Sequence, residues 1–316
     1  MAALNQFTYP IYNYAVGWFK RQPVNPLDFI APTLAVDGVT GTYKRYPQGY
    51  AFRAVDTIRA PFGAANTIDV LAEDVPYKLE DHSLRVGVDD SEIKPGAGNK
   101  QEAANQLALA KTGSLLATWR TSAINDGFAH FRNEVAAKEG VGNWSDKDAD
   151  PITELRELMS EFEVTNGVMP NRFLFSAAAW DTICANPTVL DLVAYNDAKV
   201  LTPDLLFKLL RLTDGGQLAP KFLRASVPMA TTKPGAGVPF QGTNVLGNEV
   251  WLTYVDEGQQ IGDMCGMRQL HAGGESPVEN VESYYVRERH TTFYEVGLHR
   301  SYAVTAPSCN IRLAIS

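Results

Sequence analysis

Histidine is the commonest metal ligand among side chains, and the chain contains five histidines. A helical zinc site needs two of them four positions apart, often as His-Glu-x-x-His, and neither pattern occurs. His290 and His299 stand an odd number of positions apart, so a continuous strand would place them on opposite faces. The sequence therefore predicts no metal site. It predicts solvated or hydrogen-bonded histidines at all five positions: His82, His130, His271, His290 and His299.

Nucleophilic and phosphate-binding motifs are the second kind of chemistry to test. Residues 94–101 (KPGAGNKQ) are glycine-rich like a phosphate loop, but they lack the Gly-Lys-Ser/Thr ending that supplies the lysine and the magnesium ligand. Residues 274–277 (GESP) place a proline where the helix after a nucleophilic serine must begin. Cys184 stands beside Ile183 on an apolar helix face, which favours a buried, inert thiol. The sequence thus predicts no catalytic residue, no cofactor site and no enzyme.

The composition is that of a folded protein, with 316 residues of which 45% are hydrophobic and 20% charged. A formal net charge of -8 without a Lys/Arg block argues against sequence-specific nucleic-acid binding, although a mildly acidic wall is compatible with enclosing DNA. The three cysteines stand singly, which excludes Cys-x-x-Cys motifs and suits a reducing compartment. With no secretory signal and no apolar run of about 18 residues, we expect a soluble protein made inside the cell.

Residues 1–38 are rich in aromatic residues and interrupted by prolines. Prolines at this density should prevent a continuous helix and should remove backbone donors from any strand. A segment of this kind cannot bury its own aromatic side chains. We therefore expect an ordered arm that docks on a neighbouring subunit.

Residues 39–90 have the pattern of extended structure. Residues 52–59 (FRAVDTIR) and 67–71 (TIDVL) flank the turn-forming residues 61–66 (PFGAAN), which predicts a long hairpin. A bare hairpin is marginal in water, and its mixed charges suggest pairing with a complementary surface outside its own domain. A further, part-exposed strand pattern runs over residues 76–88.

One very long helix is predicted over residues 100–138. An apolar stripe with helical spacing follows it: Ile124, Phe128, Phe131 and Val135. No sustained heptad accompanies the stripe, so a structural strut is favoured over a coiled coil. The glycines in this helix, Gly113 and Gly127, should mark bends or close contacts.

From residue 150 the pattern alternates between helices and strands, which predicts a compact α/β domain. The predicted helices begin at capping residues, which are Asp150, Ser176 and Thr202. Strands are predicted at residues 172–175, 222–227, 250–254, 284–296, 302–305 and 310–315. The last three need a sheet partner, and the strand at residues 84–88 is the available one.

Short motifs occur in a fixed order along the chain. Residues 75–82 (VPYKLEDH) precede the long helix, and residues 169–176 (MPNRFLFS) and 179–180 (AW) follow it. Residues 186–187 (NP) and 284–289 (YYVRER) complete the set. Together with the order of the elements, these motifs resemble the major capsid proteins of tailed phages. That family has the fold named after the phage Hong Kong 97, which is shared with encapsulins.

The resemblance implies an α+β chain with the Hong Kong 97-like capsid fold, divided into successive segments. They are an N-terminal arm (1–38), an extended loop hairpin (39–83), the strand and long spine helix of a peripheral (P) domain (84–145), an axial α/β (A) domain (146–275) and the C-terminal strands of the P domain (276–316). The strands near residues 84–88 and 284–315 would then share the P-domain sheet. Elements unable to bury themselves would find their cores between subunits.

The resemblance also implies a structural subunit that self-assembles into hexamers and pentamers of an icosahedral capsid enclosing double-stranded DNA. Its partners would be copies of itself and scaffolding, portal and decoration proteins, with any scaffolding protein encoded separately. No membrane is involved, and the location would be the virion capsid after synthesis in the host cytoplasm. Two alternatives stay open, which are an encapsulin-like protein nanocompartment and a soluble α/β enzyme with oligomerisation arms.

Aromatic residues of the arm and charged residues of the hairpin are expected to contact neighbouring subunits. They are Phe7, Tyr9, Tyr12, Tyr14, Trp18, Phe19, Arg53, Asp56, Arg59 and Asp69. One device of the family is a Lys–Asn isopeptide bond between subunits, for which Lys44 and Asn310 are the nearest candidates. Neither stands in a recognisable motif, so no covalent cross-linking is expected.

Overall fold

The computed structural model has a mixed architecture of helices and sheets. It describes residues 5–45, 47, 57–59, 63–67, 72–93, 100–194, 200–212, 220–232, 239, 241–257, 265–272 and 280–316. The side chains of residues 5–12, 100, 101 and 280 fall outside this description. The α+β class expected from the sequence is confirmed.

The N-terminal residues form two helices and a strand, namely α1 (Asn5–Arg21), α2 (Pro26–Ile30) and β1 (Thr33–Val36). The expectation that prolines prevent a continuous helix holds for the segment as a whole, which is interrupted at residues 22–25 around Pro23, but it is wrong for α1. Pro10 lies in the second turn of α1, where it removes one backbone bond and the helix continues. Pro26 occupies the first turn of α2, where its missing N–H needs no partner within the helix.

A two-stranded antiparallel sheet forms the stem of a hairpin. Strand β2 (Thr40–Arg45) pairs with β3 (Glu73–Lys78), with Arg45 opposite Glu73 at the outer end of the stem. Most of the residues expected to form strands at 52–59 and 67–71 lie outside the described part. The residues of this region that are described, 57–59 and 63–67, are not in strands. The single strand pattern predicted over residues 76–88 is divided at Leu79 between β3 and the next strand, β4 (Glu80–Asp89), which belongs to a different sheet.

The predicted long helix is confirmed as α3 (Lys100–Glu134), which has 35 residues and ends before the predicted residue 138. At 1.5 Å per residue it spans about 52 Å. The predicted stripe is its buried face: Ile124, Phe128 and Phe131 are fully buried and Val135 follows the last turn. Gly127 marks a close contact, because a Cβ built there would lie 2.6 Å from Leu27 Cδ1 of α2.

An α/β layer follows the long helix. Its helices are α4 (Pro151–Asn166), α5 (Ala177–Ala185), α6 (Pro187–Val193) and α7 (Pro203–Leu209). Its strands are β5 (Arg172–Ser176), β6 (Lys221–Ala225), β7 (Pro228–Ala230), β8 (Gly242–Asn244), β9 (Glu249–Thr253) and, from the C-terminus, β13 (Asn310–Ala314). One sheet has the order β13-β9-β5-β6, and β7 and β8 pair separately. Both β5 and β9 are buried throughout, as befits the centre of this sheet.

The three predicted helix caps are confirmed. Asp150 Oδ1 accepts from the backbone N–H groups of Ile152 and Thr153 at 3.1 Å each. Ser176 Oγ accepts from Ala179 N at 3.1 Å, which starts α5. The Thr202 hydroxyl accepts from the backbone of the third residue of α7 at 3.3 Å. These caps satisfy N–H groups that have no partner within their helices.

A second sheet contains β10 (Arg268–Ala272), β11 (Asn280–Val286) and β12 (Thr291–Ala303). Its order is β1-β10-β12-β11, and β4 pairs with β12 along ten positions from Asp89 opposite Thr291 to Glu80 opposite Arg300. The strand at 84–88 was expected to share a sheet with the C-terminal strands. This is confirmed for β12, which pairs with β4, and for β11, which pairs with β12 in the same sheet.

Three expectations about the C-terminal strands are wrong. Residues 302–305 are not a separate strand, because Tyr302 and Ala303 end β12 and residues 304–305 lie outside any strand. Residues 284–296 are not one strand, because a 3-10 turn at Arg287–Arg289 and the left-handed His290 (φ 45°) fold them into the β11–β12 hairpin. Strand β13 does not join β4, because it pairs with β9 in the other sheet. In addition, β10 lies within the expected A-domain range 146–275 yet pairs with β1 and β12.

Helix α3 connects the two sheets through separate parts of its length. Its N-terminal half packs Leu115, Leu116 and Trp119 with α1 and with the β11–β12 side of the larger sheet. Its C-terminal half packs with α2 and with the α/β layer, where Phe128 meets Trp251 of β9 at a centroid distance of 6.0 Å. Both halves bury apolar surface, which gives α3 the role of the expected strut.

Candidate assembly surfaces

Helix α1 lies against its own subunit. Ala15 is fully buried, and the partly buried Tyr14, Trp18 and Phe19 belong to the same apolar cluster as the N-terminal half of α3. Trp18 and Phe19 contact each other edge to face at 5.1 Å. The Tyr14 hydroxyl donates to the Leu109 carbonyl at 3.4 Å. The helix therefore has an apolar face that the sequence argument overlooked.

The statement that the segment cannot bury its own aromatic side chains is thus wrong for three of the six named residues. The physical reason is that positions 14, 15, 18 and 19 share one face of a helix, a spacing that the emphasis on prolines obscured. The expected contacts of Tyr14, Trp18 and Phe19 with a neighbouring subunit stay a prediction. The side chains of Phe7, Tyr9 and Tyr12 lie outside the described residues.

The stem of the hairpin is anchored in the body by an apolar cluster. Tyr43 of β2 and Leu79, which follows β3, are buried to 6% and 2% exposure. They pack with Leu34 and Val36 of β1 and with Leu270 of β10. The base of the hairpin is therefore a part of this subunit's own core.

Arg45 adds a polar anchor at the outer end of the stem. Its Nη2 donates to Glu134 Oε2 at 3.0 Å, and its Nε donates to the Val304 carbonyl at 3.2 Å. The same Nη2 lies 3.3 Å from the Tyr43 hydroxyl. One side chain thus connects β2 to the end of α3 and to the chain after β12.

Beyond the stem, most of the described residues of the hairpin are solvent-exposed. Ile58 is 81% exposed, and Arg59 beside it is exposed as well. Exposed apolar and charged groups on an extension of this kind are typical of a surface that another molecule covers. Of the four charged residues predicted to contact a neighbour, Arg53, Asp56 and Asp69 lie outside the described part.

A buried ion cluster that no sequence motif predicts lies between α3, β9 and β13. Glu249 is 4% exposed and accepts from Arg132 Nε at 3.1 Å and from Arg312 Nε at 2.9 Å. Arg132 also donates to the Val245 carbonyl at 2.6 Å. Two guanidinium groups satisfy one buried carboxylate, so the cluster joins the long helix to the α/β layer.

Groups with nucleophilic or metal-binding chemistry are dispersed. No set of three His, Cys, Asp or Glu residues suited to a metal ion occurs within the described ranges. Burial raises the pKa of all three thiols, that of Cys309 to about 12. Cys265 and Cys309 are buried, whereas Cys184, which was expected to be buried, is only partly buried. Protonated thiols are poor nucleophiles. Burial, and then the charge of Arg300, lowers the pKa of His271 to about 4, so this imidazole is neutral at physiological pH.

The two candidate cross-linking residues are engaged within their own chain. Lys44 Nζ pairs with Asp74 Oδ1 at 2.6 Å on the hairpin stem. Asn310 is 7% exposed, and its Nδ2 donates to the Ala306 carbonyl at 3.0 Å. The absence of covalent cross-linking stays a prediction.

Among the described helices, none combines the length and the apolar composition of a membrane span.

No family model matches the sequence, and no curated protein matches it either. The fold, in contrast, is similar to those of solved phage proteins. A phage-related protein from Bordetella bronchiseptica RB50 superposes with a TM-score of 0.66 at 18% identity, covering 96% of each chain. The chain has the Hong Kong 97-like capsid fold.

Two further structures share this fold along nearly the whole chain. A prophage protein of Escherichia coli CFT073 assigned as a capsid protein superposes with a TM-score of 0.53 at 11% identity, covering 100% of each chain. The subunit of the bacteriophage PhiM1 mature capsid superposes with a TM-score of 0.50 at 10% identity, covering 93% of this chain and 88% of that one. The Hong Kong 97-like fold expected from the ordered motifs is therefore confirmed.

Proposed function

We propose that this chain is the major capsid subunit of a tailed phage or prophage, assembling as hexamers and pentamers into an icosahedral shell around double-stranded DNA. The observation that carries the proposal is the likeness to phage-related and capsid structures over 96% to 100% of the chain. A likeness of that extent includes the hairpin and the N-terminal helix as well as the α/β layer.

The physical argument rests on the hairpin. Its base is held by the Tyr43 and Leu79 cluster and by Arg45, whereas Ile58 and Arg59 beyond the stem are exposed. A two-stranded hairpin of this kind is marginal in water unless a further surface packs against it. A neighbouring copy supplies such a surface at every hairpin of a closed shell, so modest contacts add up to high avidity.

The acidic balance of the chain fits a container wall. A formal net charge of -8 is compatible with a wall that does not adsorb DNA tightly. Under this proposal the subunit does no chemistry, resides in the virion after synthesis in the host cytoplasm, and meets scaffolding, portal and decoration proteins during assembly. Sequence-specific contacts to DNA are not part of the proposal.

The decisive experiment is cryo electron microscopy of the purified chain, with light scattering alongside. We expect closed shells, tubes or capsomer rings. The ratio of absorbance at 260 and 280 nm then separates DNA-filled particles from an encapsulin-like shell with protein cargo. A monodisperse monomer or dimer in every condition, including after co-expression with the neighbouring phage genes, would favour the α/β enzyme with oligomerisation arms.

Deleting the hairpin beyond its stem tests the role of the hairpin in assembly. Because Arg45 and Glu73 are opposite partners, an Asn-Gly turn can join them in place of residues 46–72 and leave the stem intact. We expect this variant to unfold at the wild-type temperature but to form no shells. Normal shells from the deletion variant would count against the role proposed for the hairpin.

A further inference from the structure

Dipeptides in which aspartate or asparagine precedes glycine occur at residues 37–38, 126–127, 166–167 and 214–215. In such a pair the backbone nitrogen of the glycine can attack the side-chain carbonyl carbon of the residue before it, because glycine has no Cβ to obstruct the approach. The resulting succinimide ring closes only where the side chain and that nitrogen are free to approach each other. The fold therefore decides which of these dipeptides reacts. Residues 214–215 lie outside the described part of the chain.

The pair Asp126–Gly127 is protected by its place in α3. It lies well inside the helix, where each backbone N–H bonds to the carbonyl of the preceding turn. The Asp126 carboxylate also pairs with Arg300 Nη2 at 3.0 Å, and Arg300 is 4% exposed. The attacking nitrogen and the carboxyl group are both bonded, so ring closure here requires local unfolding of the helix.

The pair Asn166–Gly167 is protected at the end of α4. Asn166 is 1% exposed, and its Nδ2 donates to the Ser308 carbonyl at 2.9 Å. The Gly167 nitrogen donates to the Glu163 carbonyl at 2.7 Å. As in α3, neither reacting group is free while the structure stays folded.

The pair Asp37–Gly38 is different, because it belongs to the turn between β1 and β2. Asp37 is exposed, and within the described structure its carboxyl group has no hydrogen bond or ion pair. Among the described residues the Gly38 nitrogen has no partner either, although the Gly38 carbonyl accepts from the Tyr77 hydroxyl at 3.4 Å. Both reacting groups therefore lack the bonds that hold them in α3 and at the end of α4.

We propose that Asp37 is a site of spontaneous isomerisation to isoaspartate in the folded protein. The Gly38 nitrogen attacks Cγ of the protonated Asp37 carboxyl group. A C–N bond forms, the C–OH bond breaks, and the hydroxyl group leaves with the nitrogen's proton as water. Hydrolysis of the succinimide then consumes one water molecule. Opening at one carbonyl restores aspartate, and opening at the other leaves the main chain running through Cβ and Cγ of Asp37.

The isoaspartate product adds one atom to the main chain where the body is joined to the hairpin stem. On one side of the turn Val36 is 6% exposed, and on the other side the Val39 carbonyl accepts from Leu79 N at 2.8 Å. The added atom displaces the turn relative to these two contacts. Isomerisation itself does not depend on assembly, so the proposal goes beyond the proposed function. In a finished shell, whose subunits are not replaced, the product would accumulate.

The test is prolonged incubation of the purified full-length chain near neutral pH in water enriched in heavy oxygen. Digestion in ordinary water and mass spectrometry follow. Each succinimide hydrolysis inserts one heavy oxygen atom, and isoaspartate peptides separate from aspartate peptides on chromatography. In the folded chain we expect roughly tenfold or more label in the tryptic peptide 22–44, which contains Asp37, than in peptide 121–132, which contains Asp126. After unfolding in guanidinium chloride, both peptides should label at comparable rates.

Asp37→Glu is the matched variant, because it keeps the negative charge but needs a larger ring, which closes far more slowly. We expect its peptide 22–44 to stay unlabelled while peptide 121–132 behaves as in the wild type. Equal labelling of the two peptides in the folded wild type would overturn the proposal. So would an unlabelled peptide 22–44 in a folded sample incubated for long enough to label the unfolded one. Neither result depends on shell formation, so both are independent of the assembly proposal.

Discussion

Arg45 at the end of β2 bonds to Glu134 in the last turn of α3, with Nη2 and Oε2 3.0 Å apart. The two residues are far apart in sequence, and their side chains are 27% and 40% exposed. A second bond from Arg45 Nε to the Val304 carbonyl holds the guanidinium on the chain after β12. Arg45 therefore anchors the outer end of the stem, in addition to the apolar cluster of Tyr43 and Leu79 at its base.

Replacing Arg45 by methionine tests this anchor. Arg45→Met keeps the aliphatic stem of the side chain but loses both bonds, so we expect about 1–2 kcal/mol less free energy of unfolding. Amide exchange in β2 and β3 should accelerate more than exchange in β5. Lys44→Met is the matched control, because the Lys44–Asp74 pair is 49% and 56% exposed and an exposed pair contributes about 0–1 kcal/mol. Equal effects of the two variants in urea unfolding would contradict the anchoring role.

Gly127 in α3 is required by the close approach of α2. A Cβ at this position would lie 2.6 Å from Leu27 Cδ1 and 3.1 Å from Tyr302 Cε1. Leu27 is 1% exposed and cannot move aside cheaply. We expect Gly127→Ala to destabilise the protein by up to about 2 kcal/mol, since an overpacking cost of about 1–3 kcal/mol exceeds the gain in helix propensity of about 1 kcal/mol.

Gly113 in the same helix is the matched control for Gly127. A Cβ there would have the Tyr14 hydroxyl at 3.4 Å as its nearest neighbour, which is an ordinary contact. We expect Gly113→Ala to be neutral or to stabilise by up to about 1 kcal/mol. Thermal unfolding of both variants measures the difference, and a stabilising Gly127→Ala would refute the packing argument.

The sequence was informative wherever structure is determined locally. Asp150, Ser176 and Thr202 are predicted caps because a cap depends on a few adjacent residues, and all three accept the expected backbone bonds. The stripe ending at Val135 predicts the buried face of α3 for the same reason. The Hong Kong 97-like fold followed from the order of such elements.

Sequence reasoning failed where the outcome depends on distant partners. Strand β13 has no local feature that selects β9 over β4, because pairing is decided by which sheet edge the chain reaches. The ion cluster at Glu249 combines residues from several elements, so no spacing along the chain predicts it. Helix α1 was not predicted because Pro10 was taken to exclude a helix, whereas the helical spacing of the apolar residues indicates one.

His271 gives the protein a stability that depends on pH. Its pKa is lowered from 6.5 to about 4 by burial and by Arg300, its opposite partner in the sheet. Between these values the unfolded chain binds more protons at this site, so unfolding is favoured as the pH falls. The contribution is fully present above pH 6.5 and is lost progressively towards pH 4, by roughly 3 kcal/mol in total.

The pH dependence is measured by urea unfolding at a series of pH values from 7 down to 4.5. We expect His271→Gln to have a shallower loss of stability than the wild type across this range, because the variant has no imidazole to protonate on unfolding. His290→Asn is the control, since His290 is exposed and asparagine tolerates its left-handed backbone. Identical slopes for the wild type and His271→Gln would show that this imidazole does not set the dependence.

Arg59 tests whether the exposed part of the hairpin meets a neighbouring subunit. Arg59→Glu changes an exposed side chain beyond the stem, so we expect the free energy of unfolding to change by less than about 0.5 kcal/mol. Assembly should suffer instead, because reversal turns an attraction of about 0.5–1 kcal/mol into a repulsion at every copy of the contact. We expect the protein concentration needed for shell formation to rise roughly tenfold.

Lys78→Glu is the control for Arg59→Glu, because it makes the same change to the net charge of -8 at an exposed position within the stem of the same hairpin. Light scattering against protein concentration, at low and at high salt, compares the variants. High salt should reduce the difference between Arg59→Glu and the wild type, since exposed charges are screened. If both variants assemble like the wild type at low salt, Arg59 forms no attraction across subunits, and the predicted contact of this residue with a neighbour is wrong.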